Sequence, residues 1–112
     1  MASIRQEKIS ALLKKELAII FQRESSMLFN GRFITVTLVR ITPDLALAKV
    51  YLSFMAVKDP ALELDMVKDQ TWKIKNLLAK KVGKQLRRMP DLAFYIDDSL
   101  DYYEEIDNLL KK

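Results

Sequence analysis

The feature that most constrains the fold is a pair of strand-like segments joined by a turn, within "RFITVTLVRITPDLALAKVYLSF". The first segment, residues 32–41, is rich in the β-branched residues that favour strands. The turn is "TPD", in which proline presets φ and a side-chain oxygen can satisfy the backbone. In the second segment, residues 45–54, alternation places Ala46, Ala48, Val50, Leu52 and Phe54 on one face, and Lys49, Tyr51 and Ser53 on the other. Two strands this close in sequence predict a hairpin.

Helical periodicity precedes the hairpin and follows it. Ser3 and Gln6 have the spacing of a capping box, and the apolar repeat after them predicts a helix to about Glu24. Asp59 and Pro60 are suited to the N-cap and the first turn of a second helix, whose apolar repeat reaches the high 80s. A straight helix of that length is too long for so small a domain, so we expect a bend.

Pro90 ends the second helical pattern, because the residue before a proline favours extended geometry. The segment "LAFYID" after it predicts a third strand, and Asp98 or Ser99 is suited to cap a last helix through Leu110. The order is therefore α-β-β-α(bent)-β-α. Residues 1–112 predict one α+β domain, a three-stranded sheet with helices on one face.

Composition excludes several kinds of chemistry. The chain has no histidine and no cysteine, so the commonest general base and all thiolate chemistry are missing. Its two glycines, Gly31 and Gly83, are too far apart for a phosphate-binding loop. The N-terminus lacks an apolar signal core, and no apolar run is long enough to span a membrane. We expect a soluble, cytoplasmic protein that is not an enzyme and binds neither a metal nor a cofactor.

Charge is distributed unevenly along the chain. Residues 65–90 carry eight basic side chains against Asp65 and Asp69, whereas residues 91–112 carry seven acids against two lysines. A basic segment beside an acidic one favours a polyanion as partner. The candidate RNA-binding residues are basic side chains that share edges of the two predicted helices: Arg5, Lys8, Lys15, Lys73, Lys75, Lys80, Lys81, Lys84, Arg87 and Arg88.

Two other groups of residues allow a functional and a structural interpretation. Asp97 and Asp98 could hold a metal ion, but neighbours on a strand face opposite ways, which favours a strand end and a helix cap. Trp72 and Tyr51 could stack on bases, but aromatic side chains of this size more often lie in a core or at its boundary. We therefore expect Trp72 to pack against the sheet.

Three parts of the chain resemble the ribosome-binding factor A family. They are the basic first helix, the hairpin "RFITVTLVRITPDLALAKVYLSF" and the segment "LAKKVGKQLRRMPDLAFYIDDSLDYYEEIDNLL". The resemblance covers nearly the whole chain and implies a type II KH-like domain. It also implies binding to the small ribosomal subunit and its rRNA. We expect the protein to be a monomer without a membrane partner. The implied role is late maturation of that RNA, including processing of its 5′ end.

The chain departs from the family pattern in its long helix. The family usually has an Ala-x-Gly interruption, and alignment on Gly83 and Lys84 brings it onto Ile74, Lys75 and Asn76. Asparagine is the next most tolerant residue of left-handed geometry after glycine. We therefore expect the kink to be retained at Asn76, with this residue outside helical geometry.

Two functional alternatives remain open at this point. One is a basic protein-interaction module, in which the hairpin edge or the basic helix docks an acidic protein partner. The other is a metal-dependent hydrolase that uses Asp97 and Asp98.

Overall fold

The structure, a computed structural model, describes residues 3–25, 34–54, 58–86 and 88–97. The described elements, in chain order, are α1 (Ile4–Arg23), β1 (Ile34–Ile41), β2 (Leu47–Phe54), α2 (Pro60–Asp69), α3 (Thr71–Val82) and β3 (Asp91–Ile96). This order confirms the α+β arrangement through the third strand. The last predicted helix, with Asp98 or Ser99 as its cap, lies outside the described residues.

The three strands form one sheet in the order β1-β2-β3. β1 and β2 are antiparallel, as the predicted hairpin requires, whereas β2 and β3 are parallel. A parallel pair cannot be joined by a tight turn, so the chain crosses over through α2 and α3 between them. The central strand is therefore β2, and β1 and β3 are the edges.

A β-bulge in β1 keeps its apolar residues on one face. Val36 pairs with Leu52, but the next paired residue is Leu38 with Tyr51, so Thr37 is an extra residue in β1. Before the bulge the buried residues are Ile34 and Val36, and after it the phase changes so that the buried residues are Val39 and Ile41. The Thr37 hydroxyl donates to the Tyr51 carbonyl oxygen at 3.2 Å, which partly compensates the interrupted ladder.

The core lies between one face of the sheet and the three helices. α1 packs on β1 and beside α3, and α2 packs near β3. The buried apolar side chains come from every described element: Leu13, Leu17, Ile20, Phe21, Ile34, Val36, Val39, Ile41, Ala48, Val50, Leu52, Val67, Ile74, Leu78, Val82, Leu92 and Phe94. Helices on a single face of the sheet are what the sequence predicted.

Polar side chains attach the start of α1 to the end of β1. The capping box is present: the Ser3 hydroxyl accepts from the backbone N–H of Gln6, and the side-chain oxygen of Gln6 accepts from the Ser3 N–H. The side-chain NH₂ of Gln6 also donates to the Ile41 carbonyl at 3.2 Å, and the Ser10 hydroxyl accepts from the Ile41 N–H. Both free backbone groups at this point of an edge strand are thereby satisfied.

The long helical segment is interrupted at Gln70. This residue has φ −99° and ψ 7°, and its N–H bonds to the Val67 carbonyl in a tightened last turn of α2. The Thr71 hydroxyl donates to the Lys68 carbonyl at 2.7 Å, so a side chain takes the place of the next helical bond. The Gln70 carbonyl then accepts from Ile74 and begins α3.

The expected kink at Asn76 is therefore wrong in position. The bend exists, but it lies at Gln70, and α3 runs as a regular helix through Ile74, Lys75 and Asn76. Among the described non-glycine residues, Leu45 alone has a positive φ. Since the break before Thr71 already shortens the helix, the chain needs no second interruption to fit the sheet.

Asn76 is an exposed position inside a regular helix, and helix propensity alone should decide its substitutions. Asn76→Ala should raise the free energy of unfolding by up to about 0.7 kcal/mol, and Asn76→Gly should lower it by roughly 0.3 kcal/mol. Urea denaturation of the two variants beside the parent measures both. An alanine variant less stable than the glycine variant would mean that Asn76 is not helical.

Candidate nucleic-acid interface

The β1–β2 turn shapes one wall of the site. The Leu45 N–H bonds to the Thr42 carbonyl at 2.8 Å, and Leu45 itself has φ 61°. A left-handed leucine costs roughly 1–2 kcal/mol, so the turn needs support. The Asp44 carboxylate supplies it, because it accepts from the Thr42 hydroxyl at 2.6 Å and from the Ala46 N–H at 3.1 Å. The predicted turn is thus confirmed, including the side-chain oxygen that satisfies the backbone.

A cleft of about 660 Å³ lies between this turn, the first turns of α1 and the segment before β3. Its apolar floor includes Ile9 and Ile41, and its rim carries Arg5, Lys8 and Arg88. Arg88 and Lys8 lie near opposite ends of the sequence, yet the fold brings the two to one opening. Because α1 begins where β1 ends and α3 leads into residues 85–90, the three basic side chains converge from two distant segments.

The cleft also contains one acid. Hydrogen bonds, first from the Thr42 hydroxyl and then from the Ala46 N–H, lower the pKa of Asp44 below its ordinary value, and the positive charge of Arg88 adds to this effect. The carboxylate therefore stays ionised at neutral pH. It repels a phosphate from the turn side of the cleft and leaves the sides formed by α1 and Arg88 to receive one.

A second group of the predicted RNA-binding residues lies on α3 and just after it. Lys73, Lys80 and Lys84 are exposed, and so is Lys15 on α1. None of these four lysines forms an ion pair with another described residue. Lys84 directly precedes Gln85, which lines the cleft, so this line of charge continues to the cleft rim.

Two predicted residues are held by acids instead. The Lys75 ammonium is 2.7 Å from an oxygen of Asp91 at the start of β3, and the Lys81 ammonium is 4.0 Å from a carboxylate oxygen of Glu16 on α1. Lys75 therefore attaches α3 to the edge of the sheet. Lys81 contributes to the contact between α3 and α1, and both are less available to a partner than the unpaired lysines.

Part of the prediction falls outside the described residues. Arg87 and Asp98 are in this part, so their positions carry no structural argument. Asp97 follows β3 directly, and its N–H donates to the Leu52 carbonyl at 2.8 Å.

Within the described ranges, no three acids, histidines or cysteines are grouped closely enough to hold a metal ion. In the same ranges, no helix combines the length and the apolar character needed to cross a bilayer.

Trp72 does not pack against the sheet, so that expectation is wrong. Its side chain is 73% exposed, in the first turn of α3. The buried stripe of this helix is Ile74, Leu78 and Val82. At about 100° per residue, Trp72 lies roughly 160° from Ile74, on the opposite side of the helix. The helical repeat of the sequence could therefore have predicted that Trp72 is exposed.

Tyr51 lies at a boundary, on the face of the sheet opposite to the helices. It is half-buried, and its ring stacks on that of Tyr95, with 5.4 Å between centroids and 28° between planes. Alternation along β2 predicted the face, but it could not pair Tyr51 with Tyr95, because that contact depends on the register of β2 and β3. Leu45 at the cleft was likewise missed, since its position follows from the unusual turn.

Comparison with known proteins finds similarity over nearly the whole chain. The family model of ribosome-binding factor A matches residues 5–110. A ribosome-binding factor A of Cytophaga hutchinsonii is 43% identical over 112 residues, which make up 100% of this chain and 84% of the relative.

A crystal structure and a fitted homology model have the same fold. The crystal structure of ribosome-binding factor A from Thermus thermophilus is 24% identical with a TM-score of 0.67, over 81% of this chain and 94% of that one. A homology model of the Thermus thermophilus factor, fitted into a cryo-EM map of its complex with the 30S particle, is 29% identical with a TM-score of 0.62. That match covers 80% of this chain and 91% of the other. The KH-like fold implied by the resemblance is confirmed.

The ion pair between Lys75 and Asp91 predicts how stability depends on pH. The hydrogen bond and charge of Lys75 lower the pKa of Asp91 below its ordinary 3.8. A carboxyl with a lowered pKa stabilises the fold above its ordinary pKa, and this contribution is lost as pH falls through the lowered value. Asp91→Asn should therefore melt below the parent at about pH 6, and the difference should disappear under strongly acidic conditions.

Thermal melts of the parent and Asp91→Asn over that pH range test this prediction. Asp65→Asn is the matched control, because Asp65 is exposed on α2 and forms no ion pair with another described residue. A difference between parent and Asp91→Asn that grows on acidification would contradict the assignment.

Proposed function

Since the chain belongs to the ribosome-binding factor A family, we propose that it binds the small ribosomal subunit through its rRNA and assists late maturation of that RNA, including processing of the 5′ end. Family membership supports the partner, because the related Thermus thermophilus factor has been fitted into a map of a 30S complex. The processing step is part of the proposal and rests on the family resemblance.

The observation that carries the proposal is the convergence of Arg5 and Lys8 with Arg88 around one cleft. Cations that meet from separate elements concentrate positive charge at one place, which attracts a phosphate backbone. The cleft has an apolar floor and a basic rim. It therefore suits a sugar-phosphate segment that lays its apolar side inward and its phosphates on the rim.

The exposed lysines extend this surface beyond the cleft. Lys73, Lys80 and Lys84 follow one side of α3 towards the rim, and Lys15 lies on α1 about two turns from Lys8. Contacts of this kind neutralise phosphates and fix the position of the protein, while the shape of the RNA supplies specificity.

Binding alone, without a chemical step, is the mechanism we propose. The protein would occupy and shape an rRNA site during assembly, as one monomeric KH-like domain formed by residues 1–112. The lack of histidine and cysteine supports this view, since the commonest catalytic base and nucleophilic thiols are missing from the chain. The partner implies a cytoplasmic protein.

Trp72 adds an aromatic contact to the proposed surface. Around the axis of α3 it lies within about 100° of Lys73 and Lys80, so it shares their exposed side. A tryptophan this exposed contributes little to the core, whereas an aromatic ring beside cations suits stacking on an unpaired base. We assign it that role at the edge of the phosphate contacts.

Co-sedimentation with small-subunit particles separates this proposal from an acidic protein partner. Loss of the complex after nuclease digestion would support rRNA as the ligand. A complex that survives digestion, with the same affinity, would favour the protein-interaction alternative and would overturn the proposal.

The salt dependence of binding to purified small subunits should be steep. If about six basic groups contact phosphates, the logarithm of the association constant should fall against the logarithm of salt concentration with a slope of roughly −4 to −5. Combined replacement of Arg5, Lys8 and Arg88 by Gln should make the slope shallower by about 2 to 3. Lys14→Gln is the matched control, because Lys14 is an exposed α1 lysine about 120° from Lys8. A slope near zero for the parent would refute phosphate binding.

Trp72→Ala should separate stability from binding. The melting temperature should stay the same or rise slightly, because the side chain is exposed and alanine is the better helix former. Affinity for the small subunit should fall by roughly 1–3 kcal/mol, the value of one base–aromatic stack. Trp72→Phe retains a ring and should recover part of the loss. A variant that melts well below the parent would show that Trp72 has a structural role after all.

A further inference from the structure

The face of the sheet opposite to the helices carries side chains arranged in rows across the strands. Strand register places Leu38, Tyr51 and Tyr95 next to one another in one row. We call these three residues the aromatic row. A second row lies two positions further along each strand, where Arg40 pairs with Lys49 and Lys49 pairs with Ala93. We call these three residues the basic row. No described helix packs on this face, because α1, α2 and α3 all lie on the other.

The aromatic row exposes large apolar side chains to solvent. Leu38 is 37% exposed and Tyr95 is 41% exposed, and the ring of Tyr51 joins them into one patch. The rings of Tyr51 and Tyr95 already stack on each other, and Leu38 lies on the other side of Tyr51. Tyr95 is on the edge strand, so the side of its ring away from Tyr51 remains to accept a further planar group. A contiguous apolar patch of this kind is a candidate binding surface.

The basic row determines what kind of partner fits. Arg40 and Lys49 are directly opposite each other on neighbouring strands, an arrangement of like charges that destabilises a sheet unless an anion lies between them. Alternation along β3 places two described acids on this face, Asp91 and Asp97. Lys75 already pairs with Asp91, so the two cations Arg40 and Lys49 outnumber the one remaining acid. The small side chain of Ala93 leaves the space beside Lys49 open. The face is therefore positive as well as aromatic.

We propose that the open face of the sheet is a second RNA-binding surface, which takes a single-stranded segment by stacking a base on the Tyr51–Tyr95 pair and placing a phosphate on Arg40 and Lys49. The inference rests on the proposed function, since it names a further contact with the same class of ligand. The rows are about 7 Å apart, the rise of two strand residues, which is comparable with the length of one extended nucleotide.

The chemistry favours unpaired RNA over other occupants. Stacking on a flat sheet needs a base whose face is free, and an A-form duplex keeps its base faces stacked inside the helix. Aromatic side chains combined with cations are the usual composition of single-strand platforms. A purely apolar protein partner would leave Arg40 and Lys49 buried without counter-charge, which is costly.

The test is a fluorescence titration of the full chain with an oligouridine of about ten nucleotides that carries one 2-aminopurine. Quenching of 2-aminopurine reports stacking directly. Tyr95→Leu should weaken binding by about 5- to 150-fold and abolish the quenching, because the variant loses one base–aromatic stack. Tyr95→Phe is the matched control, and it should bind within about twofold of the parent because the ring is retained.

Arg40→Gln provides a second test that does not alter the aromatic row. It should weaken binding of the same oligonucleotide and make its salt slope shallower by about 0.7, the value of one phosphate contact with a single strand. Thermal melts of all variants verify that each is folded. If Tyr95→Leu proves unstable, the result for Arg40→Gln still decides the question.

The outcomes separate this inference from the proposed function. Oligonucleotide binding that is unchanged in both Tyr95→Leu and Arg40→Gln, while small-subunit binding depends on the basic cleft, would overturn the inference alone. Failure of the parent to bind small subunits would overturn the proposed function. If a second copy or the acidic residues 98–112 occupied the face, Tyr95→Leu would alter the oligomeric state or the melting temperature at constant RNA affinity, and the inference would be wrong.

Discussion

The structure depends on the contact between the central strand and the helices, where Ala48, Val50 and Leu52 are completely buried. This contact fixes which face of the sheet each strand residue occupies. Burial of a valine or leucine contributes roughly 1.5–3 kcal/mol, so a register that exposed them would lose most of the stability of so small a domain. The bulge in β1 serves the same contact, because it returns Val39 and Ile41 to the buried face. Among the described residues, charged side chains lie on the helix surfaces, at the ends of the sheet and on its open side, except for the buried Glu63 of α2.

The candidate cleft follows from how the first helix is attached to the sheet. Gln6 and Ser10 bind the backbone of Ile41, so the start of α1 is held at the end of β1, next to the turn. The segment that leads from α3 into β3 passes the same place and brings Arg88 to it. Basic residues far apart in sequence thus meet because polar groups of an edge strand must be satisfied. The binding surface that we propose therefore follows from a structural requirement.

The break at Gln70 has a consequence for function as well as for shape. It separates α2 from α3, so that the buried stripe of α3 begins at Ile74 and the exposed side begins at Trp72. The family pattern has its interruption four to six positions later, where this chain has Ile74-Lys75-Asn76. A regular helix there leaves Lys73 and Lys80 aligned with Trp72 on one side, so the contacts we propose come from side chains, with no need for exposed backbone.

What the sequence determined by itself was local. The caps at Ser3 and Asp59, the turn at Asp44 and the alternation along β2 all depend on residues a few positions apart, and the structure confirms each of them. Only the tertiary structure decided that Lys75 meets Asp91, that Tyr51 stacks on Tyr95 and that Arg88 joins Lys8, because those contacts depend on strand register and on crossover geometry. Trp72 lies between the two cases: the helical repeat placed it opposite the buried stripe, but its exposure required that nothing else pack on that side. Side-chain periodicity acts within one element, whereas a binding surface is formed by several elements that pack together.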